Sequence, residues 1–266
     1  MSTYQLSTPS GEVPVTLTER GAGRPVLLLH GGAGPDSVAG FADELAERFP
    51  YRVIVPLHPG FGGTARPAAL DSVRDLGEVY RALLAELDLT DVIVAGNSIG
   101  GWIAAELALA APDRVGSLIL INAVGPASAE HPAVDFYSLD FAQIAKLSWA
   151  DPAGRVIDPT AMSDEQRAIM AGNRAALQAY AGATMTDPSL AGRLAGITVP
   201  TMVIWGEADG IVTPAYGKEF AAAIPGAAFS LVPRAGHLPQ LESPEAVLAL
   251  FADRRSGAPR GSEGRP

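Results

Sequence analysis

Short apolar runs alternate with amphipathic segments along most of the chain, and this alternation limits the possible folds more than any other feature. The apolar runs predict strands at residues 25–30, 51–57, 92–95, 118–123, 201–206 and 228–232. The amphipathic segments predict helices at residues 36–48, 72–87, 99–109 and 244–251. Apolar strands separated by helices are typical of a parallel sheet that helices cover on both faces. The chain is therefore predicted to adopt an α/β fold.

Two segments depart from the alternation. Residues 1–24 contain alternating threonine and valine, which predicts an antiparallel hairpin leading into the sheet. Residues 125–195 contain helical stretches, Pro and Gly breaks and several aromatic residues. A structureless loop of that length is uncommon, so we expect a small helical cap over the strand ends. The expected division is a core of 1–124 and 196–253, a cap, and a disordered tail, 254–266, that lacks large apolar residues.

The composition excludes several classes of protein. The 266-residue chain carries a net charge of −10, which would repel a nucleic-acid backbone. It contains no cysteine, which excludes disulfides and thiolate ligands. The amino terminus lacks the basic and apolar regions of a signal peptide, and every apolar run is shorter than a membrane span. We expect a cytoplasmic monomer or homodimer with a small-molecule substrate and no nucleic-acid or membrane partner.

The sequence GNSIG places Ser98 between a predicted strand and a predicted helix. In a parallel sheet, ligands bind at the carboxyl ends of the strands, which is where this serine lies. A sharp strand-to-helix turn leaves no room for side chains two positions away, which explains Gly96 and Gly100. The pattern is that of a nucleophile elbow. The alternative interpretation is an ordinary N-cap serine, because short motifs also occur by chance.

A nucleophilic serine needs a base, and the base needs a group that orients it. The chain contains four histidines, at positions 30, 58, 131 and 237. His237 follows the last predicted strand, and Asp209 follows the strand 201–206. The order Ser98, Asp209, His237 is the one found when such a triad is built on this kind of sheet. We therefore predict that these three residues are catalytic.

Five segments together carry a resemblance to a known family. LLLHGGAGP, HPGFGGT, GNSIGGW, WGEADGIV and AGHLPQLESPEAV occur in the expected order between about Gly11 and Phe251. In these segments the chain resembles the α/β-hydrolase superfamily. The resemblance implies a mostly parallel eight-stranded sheet with a small helical cap. It also implies a serine nucleophile at Ser98, an acid at Asp209 and a base at His237.

The resemblance further implies an oxyanion hole formed by the backbone N–H groups of Gly32 and Ile99. Two such donors would stabilise the charge that develops on the substrate oxygen during acyl transfer. Acyl transfer by the triad and this oxyanion hole would need no cofactor. The sequence also contains no HExxH pattern, histidine cluster or carboxylate array that would indicate a metal site.

Other residues near the predicted triad have different expected roles. His30 is expected to shape the glycine loop that follows it, and His58 to lie at the rim of the site or to be structural. Glu207 is a rival to Asp209, but the pattern WGxxDxxV favours the aspartate. Asn122 cannot serve as an anionic partner, and Asn97 is expected to point into the strand-end network. The candidates for substrate contact are Trp102, Phe136, Tyr137 and Leu238, with packing favoured for Trp102.

The sequence predicts a serine hydrolase that cleaves a small, apolar ester, lactone or similar carbonyl compound through an acyl-enzyme. One alternative is a carbon–carbon bond hydrolase acting on vinylogous diketones, which GNSIGG and HPGFG resemble. Enzymes of that branch usually carry an aromatic residue after the histidine, where this chain has Leu238. A second alternative is a cyclase, lyase, perhydrolase or ligand receptor on the same fold, because a fold does not fix a function.

Overall fold

The computed structural model describes residues 1–252 of the chain. The strands are β1 (Ser2–Thr8), β2 (Gly11–Gly21), β3 (Arg24–Leu29), β4 (Tyr51–Pro56), β5 (Val92–Asn97), β6 (Val115–Ile121), β7 (Gly125–Pro126), β8 (Thr186–Asp187), β9 (Thr201–Gly206) and β10 (Ala228–Val232). The helices are α1 (Asp36–Arg48), α2 (Val73–Glu86), α3 (Ile99–Ala110), α4 (Phe141–Ser148), α5 (Asp164–Ala181), α6 (Leu190–Leu194), α7 (Pro214–Ala222), α8 (Pro239–Glu242) and α9 (Pro244–Ala252). Short 3-10 turns occupy Phe136–Ser138 and Pro159–Ala161. The predicted tail, 254–266, lies outside the described residues.

Eight of the strands form one sheet in the order β1-β2-β4-β3-β5-β6-β9-β10. The strands from β4 to β10 in that order pair in parallel. The strand β2 pairs antiparallel with both β1 and β4, so the amino-terminal hairpin forms one edge of the sheet. This architecture confirms the predicted eight-stranded, mostly parallel α/β-hydrolase fold.

Both faces of the sheet are buried, because alternate residues of each central strand point into different cores. In β3, Leu27 and Leu29 belong to the core that contains α2 and α3. The neighbouring residues Val26 and Leu28 belong to the core that contains α1 and α9. A strand covered on both faces must be apolar throughout, which explains the continuous apolar run PVLLL.

Some element boundaries differ from the sequence-based prediction. The strand β6 runs from Val115 to Ile121 and ends before Asn122, whose positive φ of 45° turns the chain out of the sheet. The helix α2 begins one residue after the predicted start, because Ser72 is its N-cap and forms a capping box with Asp75. The helices α7 and α8 were not predicted.

Residues 125–195, here called the insertion, lie between β6 and β9 and contain α4, α5 and α6. The two ends of the insertion pair with each other through β7 and β8. Arg193 of α6 also donates two hydrogen bonds, of 2.6 and 2.8 Å, to the buried carboxylate of Glu106 on α3. The same guanidinium pairs with Asp187 at 2.7 Å. The carboxyl-terminal end of the insertion is therefore tied to the helix that follows Ser98.

Two buried histidines join the loops that follow β3 and β4. His30 Nδ1 hydrogen-bonds Gly31 O at 2.7 Å, so it is the protonated nitrogen, and Nε2 accepts the His58 N–H at 3.2 Å. His58 Nε2 donates to His30 O at 3.0 Å, and its Nδ1 accepts from the Tyr80 hydroxyl. Every ring nitrogen thus has a partner while both rings are neutral. Burial lowers the pKa of His30 to about 4, and burial next to His30 lowers that of His58 well below its usual value.

None of the helices among residues 1–252 is both long enough and apolar enough to cross a membrane.

Acidification is expected to destabilise the fold through these two histidines. Unfolded His30 binds a proton near its ordinary pKa of 6.5, whereas the folded residue does so only near about 4. Stability that is present above pH 6.5 is therefore lost as the pH falls towards 4, by about 3 kcal/mol for His30. Urea unfolding of the wild type and of His30→Gln at about pH 7 and about pH 4.5 measures this difference.

The His30→Gln variant should lose less stability on acidification than the wild type, although it starts from a lower value. His131→Gln, at a partly exposed position, serves as the control and should follow the wild type. Equal losses in His30→Gln and the wild type would contradict the prediction.

Candidate active site

Ser98 lies at a strained bend between β5 and α3. Its backbone has φ 57° and ψ −122°, a conformation that costs a non-glycine residue about 1–3 kcal/mol. The Ser98 N–H donates to Ile121 O at 3.0 Å, which ties the bend to β6. A Cβ atom at Gly96 would lie 2.1 Å from Gly100 O, and one at Gly100 would lie 2.3 Å from Leu29 O. The flanking glycines are therefore required by close backbone approach.

Asp209 and His237 form a buried hydrogen-bonded pair. His237 Nδ1 lies 2.8 Å from Asp209 Oδ2, and the two residues are 8% and 3% exposed, respectively. A carboxylate only accepts hydrogen bonds, so the proton lies on Nδ1 and Nε2 is the basic nitrogen. The other carboxylate oxygen, Oδ1, accepts the N–H groups of Ile211 at 2.8 Å and Val212 at 3.2 Å. These donors fix the orientation of the carboxylate.

Asn122 completes the surroundings of Asp209. Its Nδ2 donates to Asp209 Oδ2 at 2.6 Å, and its Oδ1 accepts the Gly206 N–H at 3.2 Å. Asn122 is fully buried and has a positive φ, which asparagine tolerates better than most residues. From the sequence, Asn122 was expected only to be unable to replace the acid. The sequence shows only a polar residue at the end of an apolar strand, and its contact with Asp209 depends on β6 and β9 being neighbours in the sheet.

Asn97 joins the serine bend to the histidine loop. Its Nδ2 donates to His237 O at 3.0 Å and to Ile121 O at 3.2 Å. The backbone of His237 is thereby held next to the residue that precedes Ser98. Within residues 1–252 the Ser98 hydroxyl does not hydrogen-bond the His237 ring. Such bonds are often long before substrate binds and tighten in the reacting complex.

Gly31 and Gly32 lie beside the serine bend. A Cβ atom at Gly31 would lie 3.3 Å from Ser98 Cβ, so this loop contacts the bend directly. The Ile99 N–H is the first of α3 and has no partner within that helix. Leu177 of α5 covers the loop, because its Cδ2 lies 3.0 Å from a Cβ built at Gly32. Gly32, one of the two residues predicted to form the oxyanion hole, therefore lies next to an apolar side chain of the insertion.

The insertion also contacts the loop that follows β4. Asn173 Oδ1 accepts the Gly62 N–H at 2.8 Å, and the Tyr180 hydroxyl donates to Pro59 O at 3.0 Å. Both residues lie on α5. This helix therefore spans the loops at the carboxyl ends of β3 and β4.

Three of the predicted candidates for substrate contact pack against other side chains of the protein. Trp102 is 4% exposed, packs in the core and donates from Nε1 to Glu106 at 3.2 Å. Phe136 and Tyr137 pack edge to face, and the guanidinium of Arg174 lies over both rings. Burial raises the pKa of the Tyr137 hydroxyl to about 12.

Leu238 and Glu207, the predicted neighbour of His237 and the predicted rival of Asp209, lie in different environments. Leu238 is half-buried at the start of α8, directly after His237. Glu207 is exposed, whereas Asp209 is buried. Among residues 1–252, no three His, Asp or Glu side chains are grouped as they would be around a metal ion.

Comparison with known proteins adds to this geometry. A relative from Pseudomonas, a 2-hydroxymuconate semialdehyde hydrolase, is 30% identical over 91% of this chain and 90% of its own. A 2-hydroxy-6-oxononadienedioate/2-hydroxy-6-oxononatrienedioate hydrolase from Cupriavidus pinatubonensis is 28% identical, with the same coverage of both chains.

Among solved structures, an esterase from Thermogutta terrifontis matches with a TM-score of 0.74 and 24% identity, over 95% of this chain and 97% of the other. A meta-cleavage product hydrolase from Pseudomonas fluorescens matches with a TM-score of 0.73 and 20% identity, over 94% and 96% of the two chains. At these identities the structural matches support the fold. The model of the alpha/beta hydrolase family matches residues 26–250. The chain therefore belongs to the alpha/beta hydrolase family.

Proposed function

We propose that this protein is a serine hydrolase that cleaves a small, apolar ester, lactone or similar carbonyl compound through an acyl-enzyme. The observation that carries the proposal is the buried Asp209–His237 pair, 2.8 Å apart, held by Asn97 next to the strained bend at Ser98. A binding protein would gain nothing from a carboxylate that orients an imidazole beside a strained serine.

In the proposed first step, Ser98 Oγ attacks the substrate carbonyl carbon while His237 Nε2 takes the hydroxyl proton. Asp209 remains ionised and stabilises the resulting imidazolium through Nδ1–H. The tetrahedral intermediate collapses, the bond to the leaving group breaks, and His237 returns the proton to that group. Water then attacks the acyl-enzyme by the same route, releasing the acid and restoring Ser98.

The oxyanion of each tetrahedral intermediate would be bound by the N–H groups of Gly32 and Ile99. Each such donor stabilises the transition state by about 3 kcal/mol, because it is oriented before the charge develops. The His30–His58 network supports this role, since it fixes the carbonyl of the residue that precedes Gly32. No cofactor takes part in the proposed steps.

The insertion would act as the cap that selects the substrate, over a core formed by 1–124 and 196–253. Leu177, which lies next to Gly32, supports an apolar acyl group, and Phe136 and Tyr137 are the further candidates of the insertion for contact with it. Trp102, buried against Glu106, is better explained by packing than by substrate contact.

A second candidate is hydrolysis of a carbon–carbon bond. It is favoured by the relatives from Pseudomonas and Cupriavidus, both hydrolases named for hydroxylated, oxo-substituted unsaturated acids. The same serine attack would then expel a carbon leaving group, which must be delocalised and protonated. Leu238, in place of an aromatic residue after His237, weighs against this candidate.

Loss of the nucleophile tests the primary proposal. Ser98→Ala should lower kcat on a p-nitrophenyl ester by at least about a thousandfold, because only the oxyanion hole and binding remain. A fluorophosphonate probe should label the wild type at Ser98, label His237→Ala far more slowly, and not label Ser98→Ala. A Ser98→Ala protein with full turnover would refute the proposal, and a wild type that binds ligands but is never labelled would favour a receptor.

Substitution of Asn122 tests whether its hydrogen bond to Asp209 affects the rate of the proposed reaction. Asn122→Asp keeps the size and the positive φ but places a second carboxylate against Asp209, which disfavours two charges. We expect kcat/KM to fall by about a hundredfold in Asn122→Asp and by about tenfold in Asn122→Gly, which loses the hydrogen bonds of the side chain without adding a charge. Esterase assays on the two folded variants measure both changes in kcat/KM. An Asn122→Asp variant as active as the wild type would contradict the prediction.

A substrate panel separates the two candidates. p-Nitrophenyl acetate and butyrate are compared with a ring-cleavage dienoate, with Ser98→Ala as the blank for each. Higher kcat/KM on the esters is expected. Turnover of the dienoate at a kcat/KM above that of the esters would instead establish carbon–carbon cleavage.

A further inference from the structure

The carboxyl end of α4 contacts both loops that carry the proposed acid and base. Leu147 O accepts the Gly210 N–H at 2.8 Å, and Ser148 O accepts the His237 N–H at 2.7 Å. The last carbonyls of a helix have no partner within it and must find donors elsewhere. Two consecutive carbonyls of α4 therefore each hold one loop, at or next to the proposed catalytic residue.

Both loops approach α4 more closely than a side chain would allow. A Cβ atom at Gly236 would lie 2.3 Å from Ser148 O, and one at Gly210 would lie 2.8 Å from Leu147 Cδ2. A methyl group at either position would push the loop away from the helix. The two glycines thus make the contact with the insertion possible.

The side chain of Glu242 also links the end of α4 to the loop that carries His237. Its Oε1 accepts the Ala150 N–H at 2.8 Å, just after α4, and its Oε2 accepts the Gly236 N–H at 2.6 Å. Hydrogen bonds to an ionised carboxylate are roughly twice as strong as neutral ones. The consecutive N–H groups of Gly236 and His237 are therefore both satisfied, one by Glu242 and the other by Ser148.

The two loops are also bonded to each other. The Ala208 N–H donates to Ala235 O at 2.8 Å, and the Glu207 N–H donates to Val232 O at 3.0 Å. The acid loop, the base loop and the end of α4 are therefore joined by backbone hydrogen bonds, and the Glu242 side chain adds a bridge between the base loop and the end of α4.

We infer that Glu242 is a positioning residue, which acts with the last turn of α4 to hold His237 against Asp209. Glu242 bonds backbone groups of the base loop and the insertion, so it acts through His237. This inference rests on the proposed function. It also means that this end of the insertion belongs to the catalytic frame, so it cannot move away as a lid without disturbing the acid and base.

The test compares Glu242→Ala, which loses both acceptors, with Glu242→Gln, which keeps one carbonyl oxygen. On an ester substrate, kcat should fall by about tenfold in Glu242→Ala and by about threefold in Glu242→Gln, with KM within about twofold of the wild type. The rate of fluorophosphonate labelling at Ser98 should fall in the same order. Amide hydrogen exchange should accelerate in the peptide that contains Gly236 and His237.

Glu245→Gln is the matched control, because Glu245 lies three residues away and pairs with Arg48 at the surface. It should match the wild type in every measurement. Unchanged kcat and labelling in both Glu242 variants, at a temperature where they remain folded, would overturn the inference even if their melting temperatures fell. If Glu242→Ala does not fold, the same criterion applies to Glu242→Gln. A wild type that is never labelled at Ser98 would refute the proposed function instead.

Discussion

Every other part of the site is arranged around the backbone bend at Ser98, where β5 passes into α3. A positive φ at a serine is unfavourable by itself, so the surrounding packing must maintain it. Helix α3 crosses β5 and β3 so closely that Gly96 and Gly100 cannot carry side chains. The bend in turn fixes the direction of Asn97, whose amide holds the backbone of His237. The strain at Ser98 is thus compensated by packing against β3 and by the hydrogen bond from its N–H to Ile121 O of β6.

The buried histidines have two different kinds of hydrogen-bond partner. His30 and His58 share a network in which each nitrogen is satisfied by a neutral partner, and burial lowers both pKa values. His237 instead faces a buried carboxylate that is itself held by two backbone N–H groups and by Asn122. The first arrangement keeps a loop rigid and uncharged. The second fixes the orientation of the ring, as the proposed role of His237 requires.

The central strands and the bend at Ser98 could be predicted from the sequence, because both depend on strong local patterns. The apolar runs specified the central strands, and the glycines around Ser98 indicated a close backbone approach before the structure gave the distances. The roles of Asn122 and Glu242 could not be predicted, because they depend on contacts between residues far apart in the chain. Asn122 meets Asp209 only once β6 and β9 are neighbours. Helix α8 was missed because it has only four residues, and helix α7 because it follows a loop rich in turn residues.

The insertion is attached at both of its long helices, and this limits where the chain can change in length. The end of α4 contacts the loops after β9 and β10, and α5 contacts the loops after β3 and β4. Residues 151–158, between these helices, are almost entirely exposed. Insertions and deletions are tolerated best where exposed backbone carries few contacts. Evolution can therefore lengthen or shorten this connection while the contacts that attach the two helices to the strand-end loops stay intact.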